Sequence, residues 1–152
     1  MAVVLDASAT LAWLFDDERD DGAIAMAEAI LRDGAIVPAL WRLELRNALL
    51  AAERRGRLTA KEVAEILADV RTLPIEAAQA LSRSSSESEL ELARTHRLSV
   101  YDAAHLELAV RLGVPLMSRD ASLNAAAADL GLRWQPPKRR TSRRSRRRTV
   151  SS

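Results

Sequence analysis

The sequence predicts an α/β domain with a small central parallel sheet flanked by helices, a three-layer α/β/α arrangement. Three observations predict it. Short apolar, β-rich runs alternate with helical patterns, the order that builds a parallel sheet. Runs of this kind end in an aspartate just where a helical pattern begins, which sets acids where open α/β sheets place their ligand crevices. The chain has 152 residues, 48% of them hydrophobic, so it fits one domain and can bury a core without staples.

The elements follow in order. Val3–Leu5 is the first strand, and Ser8–Phe15 a helix with Trp13 and Leu14 toward the core. Asp16-Asp17-Glu18 is an acidic turn without the glycine and spacing of a calcium loop. Asp20 or Asp21 caps a second helix to about Leu31, with Ile24, Ala27, Ile30 and Leu31 as its apolar positions, ended by Gly34. Ala35–Val37 is a strand stopped by Pro38, and a long helix covers Leu40–Arg55 before Gly56. Thr59 with Glu62 forms a capping-box pattern opening a helix to Thr72. Leu73–Ile75 is briefly extended, and Ser82–Ser88 starts a helix that ends near His96. Leu98–Tyr101 leads into a helix over Asp102–Leu112 stopped by Gly113, apolar nearly all round and therefore central. Val114–Met117 is a strand, Ala121–Leu130 a helix, Leu132–Trp134 a last strand, and Pro136-Pro137 ends the domain.

The balance of charge splits the chain. Residues 138–152 hold one Lys and seven Arg with no acid, a charge of +8, whereas the rest carries 15 Lys and Arg against 21 Asp and Glu, or −6. The expected organisation is a folded domain over 1–137 and a basic Arg/Ser-rich tail over 138–152, disordered when free. Lys138, Arg139, Arg140, Arg143 and Arg144 are candidate contacts for an RNA backbone, against the plainer reading of a solubilising extension. With no Cys there is neither a disulfide framework nor thiolate chemistry. No apolar run reaches the ~18 residues a membrane span needs, and the first residues lack a basic signal-like region, so a soluble cytoplasmic protein is expected. Aromatic residues make up 3% of the chain, which argues against a single-strand binder built on stacking platforms.

Four acids carry the functional signal. Asp6 closes the first strand where a core residue is otherwise expected, Asp102 follows Leu98–Tyr101, and Asp120 follows Pro115–Arg119. Asp102 and Asp120 each have a plain reading as helix caps, whose side chains accept a backbone N–H. Three strand-to-helix junctions ending in Asp, however, would gather at one edge of one sheet. Glu44 lies at the edge of the helical stripe Trp41-Leu45-Ala48-Leu49-Ala52, able to turn inward, with Asn47 one turn on. Such carboxylates repel one another, and a divalent cation resolves the repulsion. Leu43 and Leu50 form a second apolar patch on the same helix, either core or subunit interface. His96 and His105 read as structural, since no HExxH-like partner accompanies them.

The segments Val4-Leu5-Asp6-Ala7-Ser8, Pro38 through Leu49, Leu98 through Ala104 and Met117 through Leu123 resemble the PIN-domain nucleases, and among them the VapC toxins of toxin–antitoxin pairs. The resemblance spans about residues 1–134. It implies a PIN-like fold and an endoribonuclease site dependent on Mg²⁺ or Mn²⁺. Asp6, Glu44, Asp102 and Asp120 match the family's acidic quartet, and Ser8 and Asn47 match accessory polar positions. It also implies a homodimer held inactive by a cognate antitoxin that blocks the acidic site. His105 stands where a tyrosine is frequent, a departure read as one of packing, and the basic tail lies outside the family pattern.

The implied chemistry is metal-assisted hydrolysis of RNA phosphodiester bonds, with Asp6 and Asp102 as principal ligands and Arg119 as a further phosphate contact or a structural residue. Two alternatives stand beside it. One is a non-catalytic RNA- or partner-binding module that uses the basic tail. The other is a haloacid-dehalogenase-like phosphatase, since Asp6 with Thr10 half-matches that nucleophile loop; but Ser8 replaces its acid/base, a group worth ~10²–10⁴-fold in rate.

Overall fold

The computed structural model describes residues 1–79 and 83–138. Its chain order is β1 (Val3–Leu5), α1 (Ala7–Leu14), a 3-10 turn (Asp16–Glu18), α2 (Asp21–Asp33), β2 (Ala35–Val37), α3 (Trp41–Arg54), α4 (Ala60–Thr72), β3 (Ile75–Ala77), α5 (Arg83–His96), α6 (Val100–Leu112), β4 (Leu116–Met117) and α7 (Ala121–Asp129). The strands form one sheet in the order β3-β2-β1-β4. Every pairing is parallel: Val3 opposite Ala35, Ala35 opposite Ile75, and Leu5 opposite Met117.

Strand alternation divides the core into two layers. Val3, Leu5, Ala35, Val37 and Met117 face α1 to α4, meeting Trp13, Ile30, Trp41, Leu45 and Leu49. Val4 and Leu116 face the other way, onto Leu106, Leu108 and Ala109 of α6 and Leu123, Ala126 and Ala127 of α7. This is the predicted three-layer α/β/α sandwich. Because β1 is covered on both faces, Val3, Val4 and Leu5 are all buried, and a run without polar alternation is what such a strand requires. Each fully buried Leu or Val contributes roughly 1.5–3 kcal/mol by removal from water.

Local signals place the helix ends. Asp20 caps α2 by accepting from Ala23 N–H at 2.7 Å. Thr59 and Glu62 form the predicted capping box of α4. Gly34, at φ 78° and ψ 172°, ends α2 in a positive-φ conformation that side chains rarely adopt, and a Cβ there would stand 3.2 Å from the Pro74 carbonyl. That same carbonyl accepts from Ala35 N–H at 2.9 Å and so starts the β2–β3 ladder.

Several expectations are corrected. The buried positions of α2 are Ala23, Met26, Ala29 and Ile30, whereas Ile24 and Leu31 are exposed, so the buried face follows a different 3.6-residue stripe from the one expected. Residues 98–101 form no strand, for Ser99 caps α6 and the helix begins at Val100. The last strand is reduced to a single bridge between Leu116 and Arg133. Leu43 and Leu50 are exposed and do not belong to the core. The predicted start of α5 falls partly on residues 80–82, outside the described residues, as do Arg139, Arg140, Arg143 and Arg144. Among the described residues no helix is long and apolar enough to cross a membrane.

Candidate active site

Asp6 stands at the centre of the carboxyl edge of the sheet. Its N–H continues the β1–β4 ladder by donating to Met117 O at 3.0 Å, and its backbone occupies the N-cap position of α1. Its side chain makes no capping bond. Instead, Oδ2 accepts from the hydroxyls of Ser8 and Ser118, the latter at 2.7 Å. Each hydroxyl is fixed in turn by a backbone donor at 2.9 Å, Ser8 by Arg119 N–H and Ser118 by Asp120 N–H. The β1–α1 junction is thereby stitched to the β4–α7 turn, and the buried Asp6 carboxylate is held in one orientation.

Glu44 arrives from the first turn of α3, half-buried at the edge of the apolar stripe, as its helical position predicts. Burial first, and then the charges of Asp6 and Asp102, push its carboxyl up to about 7. Asp102 lies one turn inside α6 rather than at a strand end, its N–H donating to Ser99 Oγ at 3.1 Å. Burial, then Asp6 and Asp120, raise its carboxyl, against the opposing effects of Ser99 and His105. The position also sets Asp102 at the positive end of an inner helix, whose dipole favours an anion. Asp120 occupies the exposed rim, where Oδ1 caps α7 by accepting from Leu123 N–H at 2.8 Å. The plain cap reading thus applies to Asp120, which also contributes charge to the group, and does not apply to Asp102.

His105 belongs to this cluster. It is fully buried, one turn beyond Asp102 on α6, and its Nδ1–H donates to Tyr101 O at 3.0 Å. Its Nε2 lies 3.7 Å from Glu44 Oε1 and 4.0 Å from Asp6 Oδ1. Ligand atoms of Asp6, Glu44 and His105 all fall within 4.8 Å of one another. Buried polar atoms are ordinarily partnered, yet His105 Nε2 and Glu44 Oε1 have no hydrogen-bond partner. The reading of His105 as a packing residue is therefore incomplete. The spacing Asp102-x-x-His105, which stacks two side chains on one helix face, was the available signal. Ser118 and Asn124 were also missed. Asn124 Nδ2 donates to Ser118 O at 2.9 Å and steadies the turn.

The remaining candidates lie apart from the cluster. Asn47 is exposed one turn beyond Glu44. Arg119 directs its guanidinium to both oxygens of Asp20 and holds that carboxyl at about 2, the Ala23 N–H helping. Lys138 is exposed at the end of the described residues.

A short parallel sheet between two helical layers, with acids from the end of β1, α3, α6 and the β4–α7 turn meeting at its carboxyl edge, defines an α/β domain with an acidic edge. The sequence matches the PIN domain over residues 3–129, and the chain belongs to the PIN-domain family. The structure is similar to PAE2754 from Pyrobaculum aerophilum, at 19% identity and a TM-score of 0.60, over 83% of this chain and 84% of that one. It is also similar to Mycobacterium tuberculosis VapC20, described as a Sarcin-Ricin loop cleaving toxin, at 12% identity and a TM-score of 0.61, over 90% of this chain and all of that one. No curated protein sequence matches the chain. Family membership displaces the phosphatase alternative, whose support was a half-matched loop at Asp6.

Proposed function

We propose that the protein is a divalent-metal-dependent endoribonuclease, the cytoplasmic toxin of a toxin–antitoxin pair. One observation carries the reading: at an edge already crowded with carboxylates, two facing buried atoms, Glu44 Oε1 and His105 Nε2, lack partners. An oxygen-rich donor set of this kind suits Mg²⁺ or Mn²⁺. The likeness in fold to VapC20, described as a Sarcin-Ricin loop cleaving toxin, supports RNA as the substrate class.

Asp6 and Asp102 are the principal ligands, with Glu44 and Asp120 completing the set directly or through water. A bound ion supplies polarisation of the scissile phosphate and a more acidic water. Ser8 and Ser118 keep Asp6 from rotating by donating to Oδ2, which leaves Oδ1 directed toward Glu44 and His105. Asn47 is an outer polar contact on the approach to Glu44. The catalytic domain is residues 1–137, and the tail from Lys138, with Arg139, Arg140, Arg143 and Arg144, contributes phosphate contacts. Leu43 and Leu50, exposed on α3, support a homodimer interface, and the antitoxin acts by covering the acidic edge.

The test is cleavage of total and transfer RNA by purified protein in Mg²⁺, Mn²⁺ or EDTA, beside Asp102→Asn purified identically. Discrete products lost in EDTA and in the variant are expected. Equal cleavage by both proteins would overturn the assignment of the site.

A further inference from the structure

We propose that His105 is itself a metal ligand, adding one imidazole nitrogen to the carboxylate set and tuning the site toward a first-row transition ion rather than Mg²⁺. The inference rests on the metal-dependent reading above and deepens it. A carbonyl oxygen only accepts, so the 3.0 Å contact with Tyr101 O fixes the hydrogen of the ring on Nδ1. In the neutral ring Nε2 is then a bare lone pair, and a histidine that binds metal through one nitrogen characteristically donates the other N–H to a carbonyl or carboxylate. That lone pair is fully buried, without a partner, and faces Asp6 and Glu44 at 4.0 and 3.7 Å. A neutral histidine serving only to fill the core leaves this acceptor without a donor, since Glu44, even when protonated, stands 3.7 Å away, beyond hydrogen-bond reach. The rival is a doubly protonated ring acting as an internal counter-cation between the two acids.

The consequence is selectivity. Carboxylates and water are the ligands of hard Mg²⁺, whereas an imidazole nitrogen raises affinity along the transition series, beginning with Mn²⁺. Replacing His105 by an apolar residue of similar size removes a donor that Mn²⁺ uses and Mg²⁺ largely does not.

The experiment uses the full chain without a histidine tag and Mn²⁺ as the probe. Pulsed EPR reads ¹⁴N coupling to the bound ion, and calorimetry reads Mn²⁺ and Mg²⁺ affinities for the wild type and His105→Phe. The expected result is ¹⁴N coupling in the wild type that is lost in His105→Phe, with Mn²⁺ affinity falling about tenfold or more and Mg²⁺ affinity changing less than about threefold. Because the chain has 2 histidines, His96→Gln gives the same assignment without touching the core, and retained coupling there supports His105 even where His105→Phe does not fold. Mn²⁺ bound without ¹⁴N coupling, or coupling that persists in His105→Phe, would overturn the inference and leave the metal-dependent nuclease standing. Failure of the wild type to bind Mn²⁺ at all would overturn both.

Discussion

Ser118, at the end of β4, donates to Asp6, at the end of β1, across 2.7 Å of space and 112 residues of chain. Its oxygen also accepts from Asp120 N–H, so one hydroxyl positions two members of the acidic group. A buried hydrogen bond to a charged acceptor contributes roughly 1.5–3 kcal/mol. Ser118→Ala is expected to lower the unfolding free energy by about 2 kcal/mol and to reduce cleavage at limiting metal more than at saturating metal. Urea melts with a metal titration of activity read both effects; an unchanged metal dependence would mean that Ser118 holds the turn and not the carboxylate.

Asp102→Asn is expected to abolish cleavage while the fold survives. Ser99 caps α6, so the helix start does not depend on the Asp102 side chain. In EDTA the variant should melt at or above the wild type, because removing one charge relieves the repulsion that Asp6 and Asp120 exert on it. A clear fall in melting temperature in metal-free buffer would count against a crowded acidic site.

Glu44 makes stability depend on pH in the metal-free protein. Its carboxyl, ordinarily near 4.5, is pushed up to about 7 in the folded state. Between those values the folded state binds more protons than the unfolded one, so stability falls as pH rises through the window. Asp102, also raised, acts in the same direction. Glu44 retains 30% of its side-chain exposure, and solvent screening limits the effect to on the order of 1 kcal/mol between pH 5 and pH 8. Urea unfolding in EDTA at several pH values checks this, and saturating Mn²⁺ should abolish the decline. Rising stability across the window would refute the burial of Glu44 among acids.

Removing residues 138–152 takes away a charge of +8. RNA affinity should weaken, and the slope of log affinity against log salt should shrink by up to about 6, the limit if each charge met one phosphate of a single strand. Cleavage should persist. Loss of all cleavage in the shortened protein would favour the module that works through its tail.

What was legible in the sequence was local. The capping box at Thr59 and Glu62, the strands Val3–Leu5 and Ala35–Val37 and the stop at Gly34 each depend on a few adjacent residues, and each was readable. The path of Asp102 was misread because Val100 and Tyr101 favour extended chain, while Ser99, three residues ahead of an acid, carried the competing cap signal. On α2 the i, i+3, i+4 spacing finds Ile30 but not the rest of the buried face, where Ala23, Met26 and Ala29 are buried and Ile24 and Leu31 are exposed. The acids were found one by one, but the place of His105 among them was not. It depends on α3 and α6 converging on β1, and no short window of sequence records that.

The strand order has a consequence for when the site comes into being. Val4 pairs with Ile36 on one side and with Leu116 on the other, so the central strand waits for its second neighbour until most of the chain has been synthesised. Pairings this distant in sequence close late and slowly. Ser118 and Asp120 follow directly behind that strand. A nascent chain still short of them has Asp6 but neither the second hydroxyl that orients it nor the rim carboxylate. The order of strands therefore completes the acidic edge last at Asp6, whose second hydroxyl partner and rim neighbour are in place only after β4 has emerged.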